Sequence, residues 1–262
     1  MSFAKWTPVL LILLCNLGVV AAAHTHSNSA RANLAERIAA RDVAREAALV
    51  EARALEMARY QEHLIELRAA MAALPGDPKR GRMTFMTCMS CHGVRGGGMR
   101  AFQTPRLSGQ APWYIKRQLQ KFQAGVRGAH KKDVQGNQMA PMVKLLSTEK
   151  KIDDVVAFIA SLEPKKPADG GKGDALKGQS HYVVCKTCHG DDAGGIEQQN
   201  GPWMAGQHAW YLAKQLRNFR SGLRGYHATD VEGKLMVPQA QLLEDDQAII
   251  DVVTYITSLD KK

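Results

Sequence analysis

The sequence predicts an all-α protein in which a long N-terminal helix precedes two tandem helical domains. Three observations carry that expectation. The 262-residue chain repeats itself, residues 80–163 matching residues 177–260 without a gap at an offset of 97. Within each copy the apolar residues recur at helical spacing, and no run alternates as a strand would. Residues 30–73 lack Gly and Pro and are rich in Ala, Arg, Glu and Leu, the composition of a helix.

Residues 1–23 form the first segment and have the pattern of an export signal. Lys5 supplies the positive start, Val9 to Val20 the apolar centre, and Ala21-Ala22-Ala23 a small-residue cleavage site. An uncleaved membrane anchor is the rival reading, since the apolar run is only slightly short for a span. Cleavage after Ala23 would expose His24-Thr25-His26, whose free amine and third-position imidazole suit a copper ion.

Residues 24–79 form a helical extension. Met57, Tyr60, Leu64, Leu67, Met71 and Leu74 alternate steps of three and four, as in a coiled-coil seam. Upstream the seam degrades, with Val43 and Val50 interrupted by Glu46 and Arg53. Packing against the chain's own domains, self-association and docking on a partner subunit all remain open. Pro75-Gly76-Asp77-Pro78 ends the helix.

Domain 1 spans residues 80–166 and domain 2 residues 167–262, joined by a polar linker at 164–173. Ile115, Leu119 and Phe122 share a helix face between Pro112 and Gly125, and Leu212, Leu216 and Phe219 repeat it before Gly222. Ile152, Val155, Val156 and Ile159 recur as Ile249, Val252, Val253 and Ile256, which predicts a buried terminal helix in each copy. The Gly-rich Arg95-Gly96-Gly97-Gly98 follows no strand and is expected as a loop.

The chemistry lies in a repeated pentad. Cys88-Met89-Ser90-Cys91-His92 returns as Cys185-Lys186-Thr187-Cys188-His189. Cys-x-x-Cys-His is the attachment signature of c-type haem: two thiols one turn apart bond the vinyl groups, and the next His ligates iron. The fifth cysteine is Cys15 in the export segment, so none remains for a disulfide or a catalytic thiol. Two covalent haem c groups are expected, through Cys88, Cys91, Cys185 and Cys188, with His92 and His189 as proximal ligands.

A distal ligand is sought in each copy. Domain 1 offers Met139 and Met142. Only Met139 has a methionine, Met236, at the repeat-equivalent place, since Met142 aligns with Gln239. Met139 and Met236 are therefore the expected sulfur ligands, which favour Fe(II). Met204 is assigned to core. His130 and His227 are alternative ligands, placed in loops near a propionate. His63 and His208 have no His partner in the repeat and are expected on the surface. Pro105 and Pro202 are expected to offer a carbonyl to each proximal imidazole. Arg127 and Arg224 are expected either to offset propionates or to lie in solvent. Trp113, Tyr114, Trp210 and Tyr211 either wall the haems or fill core.

The net charge of +10 is uneven. Residues 80–166 hold 16 basic and 5 acidic residues, whereas residues 167–262 hold 10 and 12. No nucleic-acid motif accompanies the basic half, so a docking face for an acidic redox protein is the expectation there.

From residue 80 onward, these features together resemble the cytochrome c4 family. The carrying residues are the two pentads, the paired Gly-Gln…Trp-Tyr…Gln-Leu…Phe…Gly…Arg stretches, the Met-x-Pro segments and the amphipathic final helices. Gly81 and Gly178, with Phe158 and Tyr255, match the crossing of first and last helices in that family. The resemblance implies tandem class I cytochrome c domains and a periplasmic electron carrier rather than an enzyme. It implies transfer from a quinol-oxidising complex or dehydrogenase toward a terminal oxidase. The helical extension departs from the family pattern and suggests an alternative: a fixed cytochrome subunit of a larger redox complex, docked through that helix and membrane-associated. A di-haem peroxidase is a third reading, and the matched methionines argue against it because it needs one open iron position.

Overall fold

In a computed structural model of the chain, the described residues are 33–62, 65, 69, 75–164 and 169–259. The export segment, the His24–His26 terminus, His63 and the seam residues Leu64, Leu67, Met71 and Leu74 fall outside them. The chain divides into two compact units, Met1–Ala58 and Arg59–Lys262. Among the described residues there are only helices, short 3₁₀ turns and two isolated bridges, Met99–Thr104 and Ile196–Gly201.

The N-terminal helix, α1, runs continuously over residues 33–62. It contains no Gly or Pro to break it, as its composition requires. Its apolar side chains are exposed, among them Val43, Val50 and Met57.

Domain 1 contains α2 (Pro78–His92), α3 (Pro112–Gln123), α4 (Val134–Val143) and α5 (Glu149–Ala160). Each start has a local cause. Asp77 caps α2 by accepting from the Lys79 N–H, with Pro78 at the first helical position. Asp133 accepts from the Gly136 N–H at α4, and Thr148 from the Lys151 N–H at α5. The buried stripe of α3 is Ile115, Leu119 and Phe122. It meets Phe85, Val143, Ile152, Val155, Val156 and Ile159 in one core. Burying each aliphatic side chain stabilises the fold by roughly 1.5–3 kcal/mol.

In domain 2 the elements are α6 (Ala175–Tyr182), α7 (Lys186–His189), α8 (Ala209–Arg220), α9 (Val231–Gln241) and α10 (Asp246–Leu259). Tyr182, Leu212, Leu243, Ile249, Val252, Val253 and Ile256 make the equivalent core. One helix differs between the copies. The helix that is continuous as α2 is interrupted in domain 2 at residues 183–185, between α6 and α7. There Val183-Val184 replaces Met86-Thr87, and adjacent β-branched side chains crowd the preceding turn.

The first and last helices of each domain cross backbone to backbone. A Cβ on Gly81 would collide with the Asp154 carbonyl, and one on Gly178 with that of Asp251. Phe158 packs on Phe85 at 5.2 Å between ring centroids, and Tyr255 on Tyr182 at 5.4 Å. The carboxylates of Asp154 and Asp251 then accept the N–H groups of Asp77 and Asp174 at 2.7 and 2.8 Å. In domain 1 this crossing holds the pentad, at the far end of α2, against the core; in domain 2 the pentad follows the crossing helix on α7.

Candidate haem sites

Cys88 and Cys91 lie one turn apart on α2, and His92 closes that helix. Gly93, at φ +78°, turns the chain away from His92, a conformation costly to other residues. Cys185 is the N-cap of α7 and His189 its last residue. Gly190 performs the same turn there at φ +81°. All four pentad cysteines are half-buried.

Both imidazoles are buried. Nδ1 of His92 donates to the Pro105 carbonyl at 3.1 Å, and Nδ1 of His189 to the Pro202 carbonyl at 2.9 Å. That bond fixes the tautomer and leaves the Nε2 lone pair for a metal. Desolvation lowers the proton affinity of both rings, partly opposed by the carbonyl bonds. A neutral imidazole is the form that ligates iron. Paired cysteine sulfurs beside a buried, tautomer-fixed imidazole make a donor set that fits haem c.

Met139 sits on α4, half-buried against the domain 1 core that also receives Cys88 and Leu107. Met142, three residues on, is exposed. Met236 is half-buried on α9. Met204 packs on the domain 2 core, as expected. His130 and His227 lie in the loops before α4 and α9. The first ring accepts the Lys132 N–H and packs on Tyr226, and the second lies 2.9 Å from the Thr229 hydroxyl.

The two domains meet in a pseudo-twofold interface that sequence reasoning did not find. Gln110 Nε2 donates to the Trp203 carbonyl, and its repeat partner Gln207 donates to the Arg106 carbonyl, both at 2.9 Å. Arg127 reaches the Tyr211 hydroxyl at 3.1 Å while Arg224 reaches Tyr114 at 2.8 Å. Arg117 pairs with Asn200 and Lys214 with Gln103, again related by the repeat. A surface that contacts its own copy must satisfy such reciprocal pairings. The paired Trp-Tyr and Arg positions of the sequence were the available signal, but nothing in their spacing shows that they pair crosswise.

Arg127 also donates to Gln118 and Arg224 to Gln215, and each guanidinium covers a Phe ring of its own domain. These arginines are half-buried at the interface rather than in solvent. Burial would raise the Tyr114 hydroxyl, but the Arg224 and Arg127 charges outweigh it and hold it below the ordinary tyrosine range. Desolvation disfavours the Arg224 charge, yet Tyr114 and Tyr211 keep its proton tightly held.

The pseudosymmetry is broken in two places. Lys121 bridges to Asp230 at 2.5 Å and Glu232 at 2.7 Å, whereas the equivalents on the other side are Asn218, Asp133 and Gln135. His208, expected on the surface, is instead only 16% exposed in its side chain. Its Nδ1 lies 2.6 Å from Asp169 and its Nε2 2.7 Å from the Gly97 carbonyl of domain 1, with Trp210 stacked on the ring. Its repeat position in domain 1 is Ala111, so the pattern held no cue to this bridge.

Comparison with known proteins adds to this geometry. The family model described as Cytochrome c matches residues 78–163 and 175–260. A cytochrome c4 of Thiocapsa roseopersicina is 33% identical over 204 residues, covering 73% of this chain and 97% of its own length. A thiosulfate dehydrogenase electron acceptor of Stutzerimonas stutzeri (strain A1501) is 29% identical, covering 68% and 81%. The crystal structure of reduced recombinant cytochrome c4 from Pseudomonas stutzeri superposes with a TM-score of 0.55 at 29% identity, covering 70% of this chain and 98% of that one.

Proposed function

Because the chain belongs to the cytochrome c family as a di-haem, cytochrome c4-like electron carrier, we propose that its two domains relay single electrons between two redox proteins outside the cytoplasm. The observation that carries this reading is the duplicated His–Pro carbonyl bond, two iron-ready imidazoles held alike at an offset of 97. Haem c, when bound, supplies a one-electron Fe(III)/Fe(II) couple.

The protein's residues then set the terms of transfer. Cys88, Cys91, Cys185 and Cys188 fix each macrocycle covalently. The carbonyls of Pro105 and Pro202 orient His92 and His189 and strengthen their donation. Met139 and Met236 would offer each haem iron a soft thioether, which favours the reduced state. A haem held in this way would leave no place on iron for substrate, and its chemistry would be outer-sphere electron transfer. Arg127 and Arg224, half-buried where the domains meet, would supply positive charge to offset haem propionates.

The basic domain 1 meets an acidic donor or acceptor, and the near-neutral domain 2 meets a different protein. A quinol-oxidising complex or dehydrogenase as donor and a terminal oxidase as acceptor fit this division. A second reading, service to one dedicated enzyme, is favoured by the relative described as a thiosulfate dehydrogenase electron acceptor. No described helix is long and apolar enough to cross a membrane.

Replacing Met139 or Met236 by Ala tests the ligand assignment. Each change should remove the Met–iron charge-transfer band of one haem only and lower that haem's potential. An unchanged spectrum in Met139→Ala, with loss in Met142→Ala instead, would overturn it.

A further inference from the structure

Along α1 the side chains Ala40, Val43, Ala47, Val50, Ala54 and Met57 follow steps of three and four and share one face. All six are exposed. This stripe is offset from the downstream seam that Glu46 and Arg53 interrupt. In the offset register those two charged residues become its flank. Both project from the same side of the stripe, seven residues apart, while Glu51 projects from the other side. Val43, Glu46, Ala47, Val50 and Glu51 line a shallow groove at the stripe's centre.

The pattern constrains the occupant. An apolar repeat of seven residues favours a left-handed pairing with another helix of the same period. Two copies of α1 running antiparallel about an axis between Ala47 and Val50 satisfy every layer. Ala40 meets Met57 of the second copy, Val43 meets Ala54, and Ala47 meets Val50. Each layer then sets a small residue against a larger one, so the helices approach closely without voids. Antiparallel helices present the same flank to each other, which places Glu46 opposite Arg53 of the second copy, twice by symmetry. Parallel helices present opposite flanks and would set Glu46 against Glu51, twice, with Ala against Ala and Val against Val. Charge and size therefore favour one arrangement.

We infer that the Ala40–Met57 stripe of α1 is the self-association surface of this protein, pairing antiparallel with α1 of a second copy. The consequence is a dimer carrying four haems, its two chains tied by a helix pair that spans about 27 Å over those 18 residues. The inference is independent of which redox partners the haem domains serve.

Sedimentation equilibrium of the full haem-loaded chain tests it, with haem and far-ultraviolet spectra confirming that each variant is folded. The expected result is a monomer–dimer equilibrium that Val50→Asp weakens by about a hundredfold. Glu46→Arg and Arg53→Glu should each weaken it about tenfold, and the double variant should restore the original affinity. A chain that stays monomeric overturns the inference. So does tightening by Glu46→Arg, because the introduced guanidinium would then face Glu51 in a parallel pair. Failure of the double variant to restore affinity also overturns it, and leaves the stripe to a helix of another protein.

Discussion

Gly81 and Asp154 show how far single atoms decide this fold. The helix crossing leaves no room for a Cβ at Gly81, because the neighbour is backbone carbonyl rather than a movable side chain. Gly81→Ala should therefore cost about 3 kcal/mol, measured by urea unfolding of the haem-loaded protein, and Gly178→Ala about the same. Asp154 is held below the ordinary carboxylate range by the Arg80 guanidinium and by the Asp77 N–H, against desolvation. Asp251 is lowered by the Asp174 N–H and by Gln247. A carboxyl depressed in the folded state contributes stability that is complete above its unfolded value, about 3.9, and is lost as pH falls through the lower folded value. Stability should thus fall on acidification below about pH 5, and Asp154→Asn should be less stable at pH 7 while flattening that acid limb. An unfolding midpoint measured from pH 7 to pH 3 checks both signs. The glycines were legible because the repeat pairs Gly81 with Gly178, and the family resemblance placed them with Phe158 and Tyr255 at the helix crossing. His208 was not, since a residue bridging to Asp169 and Gly97 leaves no periodic trace in sequence.

At the level of elements, apolar spacing identified α5 and α10 by stripes at i, i+3, i+4 and i+7, and α3 and α8 by stripes at i, i+4 and i+7. It missed the break between α6 and α7, where two consecutive valines override an otherwise matching helix. It also took Glu46 and Arg53 as interruptions of α1, a reading that holds for only one of two possible stripes. The interface elements α3 and α9 give a direct test of the broken pseudosymmetry. Lys121 neutralises Asp230, whose side chain is 5% exposed, and Glu232. Glu232 is itself held below its ordinary range chiefly by the hydrogen bond from Lys121. Lys121→Met leaves buried Asp230 without its cation and Glu232 with only Arg117, 3.4 Å away, and should destabilise domain pairing by about 2 kcal/mol. The mirror change, Asn218→Met, removes no ion pair and should cost less than half as much in the same unfolding assay.

Across the whole molecule, two domains built from matching helices differ in charge. The excess of basic residues at 80–166 would give the proposed relay distinguishable ends. Exchanging Lys131, Lys132, Lys144 and Lys150 for Glu should slow reaction with an acidic partner at least tenfold at low salt and flatten its ionic-strength dependence. The same exchange should leave both haem spectra unchanged. Duplication made both pentads readable and gave a reason to propose Met139 rather than Met142, since only Met139 has a methionine counterpart, Met236. Contacts between the copies escaped, since Arg127–Tyr211 and Arg224–Tyr114 pair each domain with what the other supplies. The central claim, a relay in which both irons are closed and only electrons pass, is tested most directly by a spectroelectrochemical titration of the whole haem-loaded chain in the presence and absence of peroxide. The account predicts two reversible one-electron couples, both low-spin in each oxidation state and both indifferent to peroxide. A haem that turns high-spin and binds peroxide on half-reduction would contradict it.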